Sequence, residues 1–147
     1  MEKYGWILLV VLAGACLPVQ AGLNARIGKS LGSPLSASFV SFAVGALALL
    51  IVMVATRQTV NLQQVASVPK YAWTSGMFGA FYVLMVIIAY RKLGVPMTFG
   101  LVVAGQMAMS LFLDHQKILV EVQHPINLFR VVGVLLIVTG VILIRNF

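Results

Sequence analysis

The chain has 147 residues, 61% of them hydrophobic and 9% charged. Soluble domains carry about 25% charged and about 45–50% apolar residues, so a water-soluble core is excluded and the bilayer is the expected solvent. The formal charge of +7 comes from ten Lys and Arg against three Asp and Glu. These cations stand one or two at a time at the ends of apolar segments, which suits lipid headgroups. They form no basic stripe of the kind a nucleic acid needs. The single cysteine, Cys16, makes no intrachain disulfide. His115 and His124 lie in a polar connection without a ligand-like set, so no metal and no cofactor is expected.

Five apolar segments follow in order, at about 4–23, 35–55, 72–90, 95–113 and 129–144. They predict a single all-α integral membrane domain over 1–147 with five transmembrane helices. The first has Lys3 before it and Val19-Gln20-Ala21 within it, features shared with cleaved signals. It is longer than a signal core and more membrane-like segments follow, so it reads as a span. Pro18 frees the carbonyl of Gly14, which neighbours in a bundle can satisfy. Gln20 and Asn24 are four apart and share a face. They are either amides lining a cavity or ordinary interhelical hydrogen-bonding groups near a helix end.

Arg26, Gly28, Lys29 and Gly32 mark the first connection. Ser33-Pro34 reads as an N-cap followed by Pro at the first helical position. Ala37, Ser41 and Gly45 then make a small-residue ridge in the second segment, suited to close helix packing. The polar connection from Thr56 to Tyr71 is expected to lie along the interface. In the third segment Tyr71, Trp73 and Tyr90 stand near the ends, as interfacial aromatics do. Gly76 and Gly79 form a packing notch, and Tyr82 either lines a cavity or packs in the bundle. The short turn Arg91-Lys92-Leu93-Gly94 predicts that the third and fourth helices are antiparallel neighbours.

The fourth segment carries the most chemistry. Gln106, Ser110 and Asp114 recur at intervals of four, which puts them on one helix face over about 12 Å of axis. Polar groups are expensive in hydrocarbon, so this stripe is expected to face a cavity or a partner. Asp114 has two readings: a carboxylate at a cavity mouth that takes up a proton or cation during transport, or a solvated residue where the helix leaves the membrane. The connection after it carries Lys117, Glu121, His124 and Pro125. The last segment, between Arg130 and Arg145, has Gly133 and Gly140 seven apart on one face. It reads as a packing or dimerisation helix.

With five spans, Lys3, Arg57, Lys70, Lys117 and Arg130 fall on one side, and Arg26, Lys29, Arg91, Lys92 and Arg145 on the other. An orientation is set by an excess of Lys and Arg on the cytoplasmic side, and here the sides are equal. The balance predicts insertion in both senses and an antiparallel, dual-topology homodimer with five helices in each subunit, the inverted-repeat arrangement of many transporters. A single topology set by other context is the alternative.

The pattern resembles the YdcZ-type family, a five-helix branch of the drug/metabolite transporter superfamily. The resemblance rests on Pro18, Gln20 and Asn24, on Gly32-Ser33-Pro34, on Ser41-Phe42 with Gly45, on Gly76, Gly79 and Tyr82, and on Gly105-Gln106, Ser110 and Asp114-His115. Gln116-Lys117 stands where the family usually has an aromatic and a Gly. The run from Gly133 to Val141 is similar to the last helix of small multidrug-resistance transporters, which implies dimer contact at Gly133 and Gly140. Those transporters carry a Glu within the membrane part of the first helix, and the first apolar segment here, about 4–23, has none, so their proton-antiport mechanism does not carry over. The resemblance implies a bacterial inner-membrane, multi-pass exporter of a small molecule. Gln20, Asn24, Tyr82, Gln106, Ser110 and Asp114 are the expected substrate pathway, and lipid and a second copy the expected partners. A non-transporting membrane subunit or scaffold is the rival reading. No nucleophile–base pair or cofactor motif points to an enzyme.

Overall fold

The computed structural model describes residues 2–120 and 124–146. Glu121 and the side chain of Arg145 lie outside the described residues. Every regular element among them is helical: α1 (Glu2–Ser30), α2 (Pro34–Ala55), α3 (Leu62–Ser67), a 3₁₀ turn (Lys70–Thr74), α4 (Ser75–Leu93), α5 (Val95–Gln116) and α6 (Leu128–Asn146). Four stretches are long and apolar enough to cross a membrane, Lys3–Ser30, Pro34–Ala55, Lys70–Leu93 and Val95–Gln116, and Leu128–Ile144 is a shorter apolar helix. The described residues divide into two compact units, one up to Arg91 and one from Lys92 on.

In the first unit α1 runs on to Ser30, beyond the expected boundary near Leu23. The residues from Asn24 to Ser30 contain no Pro, and Ala25, Arg26 and Lys29 are good helix formers. Lys29 in the last turn also complements the negative end of the dipole. The stop comes at Gly32, whose φ of +71° is the left-handed conformation that glycine adopts without a steric penalty. Ser33 then turns extended and its Oγ accepts from the Ser36 N–H at 3.3 Å, with Pro34 opening α2. Ser33→Ala is therefore expected to lower stability by about 1 kcal/mol or less, and Ser33→Asp to preserve it. Thermal melting in detergent checks this, and an unchanged midpoint in Ser33→Ala would show that the cap contributes nothing.

The three-residue turn folds α2 back along α1. Gly28 lies where a Cβ would touch the Ala37 Cβ at 3.5 Å and the Pro34 Cα at 3.6 Å, so the hairpin is close-packed at its base. Helix α4 joins it through a core of Ala37, Val83 and Ile87, with Ile27 and Tyr82 packed against it. Gly79 receives the Phe42 ring: a Cβ there would lie 3.4 Å from the ring Cζ.

The second unit is an antiparallel pair. Gly100, near the start of α5, meets Val141, near the end of α6, while Asp114 and Arg130 meet at the opposite ends. Thr98 is 2% exposed and turns its Oγ1–H inward to the Gly94 carbonyl at 2.7 Å, hiding its polarity within its own helix. Lys117 closes α5 with φ +54°. A Cβ built at Gly133 or Gly140 meets no described atom within 4 Å, so this glycine seam is open.

Ala21, Ala37, Val83, Val86, Ile87 and Val141 are the buried hydrophobic residues among those described, while side chains such as Leu8, Phe39, Leu49 and Phe81 are exposed. In water such a surface would collapse or aggregate. Against lipid tails it carries no hydrophobic penalty.

Candidate functional site

The most buried amide of the first unit is Asn24, at 4% exposure. Its Nδ2 donates to the Ser41 Oγ on α2 at 3.2 Å. The hairpin geometry explains the pair, because the two positions lie about equally far from the tight turn that joins α1 to α2. One helical turn before Asn24 on the same face is Gln20, exposed and without a described hydrogen-bond partner.

These groups border two spaces. On one side, between α1 and α2, is an open groove of about 720 Å³ whose walls include Cys16, Gln20, Asn24, Ser41, Val44 and Gly45. That is within the usual range for a small-molecule site, about 300–1,000 Å³. On the other side, toward α4, is a small cavity of about 10 Å³ lined by Gln20, Asn24 and Tyr82 among apolar residues. A space of this size is at the lower limit of what a single water needs. The Tyr82 Oη is buried and has no described hydrogen-bond partner. Such an orphan hydroxyl costs about 1–3 kcal/mol, so Tyr82 is a poor packing choice where Phe would fill the same space. Gln20 and Asn24 thus form a shared polar wall between the groove and the Tyr82 cavity.

The stripe on α5 fares differently. Gln106 and Ser110 are exposed on the helix surface. Asp114 is half-buried and ion-paired: Arg130 Nη1 donates to its Oδ2 at 3.2 Å and to the His124 carbonyl at 3.0 Å. The His124 Nδ1 stands 3.9 Å from the same Oδ2. His115 Nδ1 accepts from the Ile126 N–H at 3.3 Å. Asp114 is therefore part of a clasp that ties the incoming chain and the start of α6 to the end of α5.

Both partners of the clasp remain partly exposed, so its worth is small, about 0.2–1 kcal/mol. Asp114→Arg and Arg130→Asp are each expected to lower the melting temperature slightly, and the double variant to recover it. Singles that melt like the parent would remove the clasp from any account of stability.

The structure thus brings Gln20, Asn24 and Tyr82 together in the first unit, and places Gln106, Ser110 and Asp114 along α5 in the second. Ser41, read from sequence mainly as a packing residue, is the hydrogen-bond partner of Asn24. The usable signal was its position opposite Asn24 across a short turn. Arg130, read as the bookend of the last segment, is the partner of Asp114; no spacing pattern marks a pair joined across an irregular connection.

Long apolar helices with a polar wall beside a groove define a multi-pass helical membrane protein. Residues 5–143 match the model of the family described as "Putative inner membrane exporter, YdcZ". The chain belongs to that family, as the resemblance in its sequence implied, and it is a multi-pass inner-membrane protein. No curated protein and no solved structure matches it. Among the described residues no group of His, Cys, Asp and Glu is placed to hold a metal ion.

Proposed function

We propose that the protein is a secondary exporter of a small molecule and works by alternating access as a pair of oppositely oriented copies. The observation that carries this reading is the groove between α1 and α2, in which the Gln20 amide and the Asn24–Ser41 pair interrupt an otherwise apolar wall. Convergent polar groups in a mostly apolar concavity are the usual form of a small-molecule site. The equal division of Lys and Arg supports the inverted pair, since it favours neither orientation. In such a pair the two copies exchange roles as the site opens to one side and then the other.

The open seam at Gly133 and Gly140 is where the partner's helix packs in this reading. Gln106 and Ser110 complete the pathway in the assembled pair. The sequence has no phosphate-binding loop, so an ion gradient supplies the energy. Asp114 is the coupling acid in this reading, with Arg130 as its ion-pair partner.

Two experiments test this. Tags on both termini, probed from each side of sealed vesicles, are expected to label in both senses, and labelling of each terminus from one side only would sink the inverted pair. Asp114→Asn is expected to abolish proton-linked transport in proteoliposomes while the dimer stays intact on sizing. Undiminished transport would remove Asp114 from the coupling role.

A further inference from the structure

We propose that the groove between α1 and α2 takes an uncharged, hydrogen-bonding small molecule and rejects organic cations and anions. The proposal rests on the reading of that groove as the cargo site. It starts from the inventory of charge. Between Lys3 and Leu113 the chain has no carboxylate at all. Asp114 has Arg130 as its ion-pair partner, and the side chains of Glu2 and Glu121 lie outside the described residues. A second copy brings the same three acids, its Asp114 paired with Arg130 in the same way.

A cation entering the groove would leave water and find no described counter-charge. Taking an unpaired charge into a low-dielectric site is unfavourable unless a partner repays the lost hydration. An anion is no better served, because Arg26 and Lys29, the cations nearest in sequence on α1, are not among the lining residues.

The groove does offer neutral chemistry. Gln20 presents an amide, donor and acceptor together, that no described group engages. Asn24 uses Nδ2 on Ser41 and keeps its carbonyl oxygen, while the Ser41 Oγ accepts that bond and keeps its own O–H to donate. An amide, urea or alcohol group satisfies these atoms without bringing a charge, and an apolar body fits against Leu12, Val19, Leu23 and Val44.

Cys16, the single cysteine, is exposed and lines the groove, so it serves as a built-in reporter. The full chain in lipid nanodiscs is labelled with N-ethylmaleimide in the presence of three probes of similar size: phenylacetamide, phenylacetate and benzyltrimethylammonium. Phenylacetamide is expected to slow labelling several-fold and the two ions to leave it unchanged. Gln20→Leu, at an exposed position that holds no described contact by hydrogen bond, is expected to fold and to lose the protection, and Asn24→Leu to lose it as well. Protection by either ion equal to that by phenylacetamide overturns the charge selectivity and leaves the groove as a binding site. Protection that persists in both variants overturns the recognition by amides. Protection by none of the probes, or a Cys16 that never labels because lipid or a second copy covers it, overturns the site itself.

Discussion

Gly100→Val is expected to force α5 and α6 apart. A Cβ at Gly100 would lie 2.5 Å from the Val141 Cγ1 and 3.0 Å from its Cβ, closer than such atoms approach in folded proteins. Val141 is 8% exposed and β-branched, so its side chain has one strongly preferred helical rotamer and little room to turn away. Overpacking of this kind costs about 1–3 kcal/mol, and two branched side chains in a gap that holds one place this variant at the upper end. Gly100→Ala acts in the same direction with a smaller effect. Because the two positions touch, their effects are not additive: Gly100→Ala combined with Val141→Ala should recover most of the loss. Thermal melting and protease resistance in detergent measure it. A Gly100→Val protein as stable as its parent would show that the close approach of the two helices is absent.

Tyr82→Phe is expected to have opposite effects on stability and on function. The ring packs against Ala37, Val83 and Ile87, and Phe keeps that contact. What is lost is a buried hydroxyl without a described partner, whose removal relieves up to about 1–3 kcal/mol. The variant should therefore melt higher than its parent. It should also bind less well, because Gln20 and Asn24 line both the groove and the small cavity, so removing the hydroxyl behind them alters the shared polar wall; weaker protection of Cys16 by phenylacetamide is the readout. Gains in stability at the expense of activity are the common signature of a functional position. A lower melting temperature would mean that the hydroxyl is engaged in the folded protein, and unchanged protection would remove Tyr82 from the site.

How much of this was legible beforehand depends on the kind of signal. The helical membrane class follows from composition and segment length alone, and the family match over residues 5–143 agrees with the motifs that carried the resemblance. The Ser33-Pro34 start of α2 was legible because capping is local chemistry. The true end of α1 was not: Arg26, Gly28 and Lys29 resemble a loop in composition, yet none of them stops a helix, and the hairpin needs Gly28 inside α1 to approach Ala37. Gln20, Asn24 and Tyr82 could be selected from sequence as polar groups in apolar segments, but their meeting across α1 and α4 is a tertiary fact. The contact of Gly100 with Val141 left no trace either, since one glycine in an apolar run has no period to reveal its partner.

The length of α1 carries a last consequence. Its apolar part gives way after Ala25 to a final turn that carries two exposed cations, Arg26 and Lys29. Cationic side chains at a span's end favour the phosphate layer. Gln20 stands six residues earlier, about 9 Å along the axis, and Asn24 is nearer still. With Arg26 and Lys29 at the phosphates, the polar wall would belong to the shallow part of one leaflet and not to the bilayer midplane. A solute dissolved among the headgroups would reach it by moving sideways beneath them, with less than two helical turns of hydrocarbon to cross. In an oppositely oriented pair, one such shallow vestibule would face each leaflet.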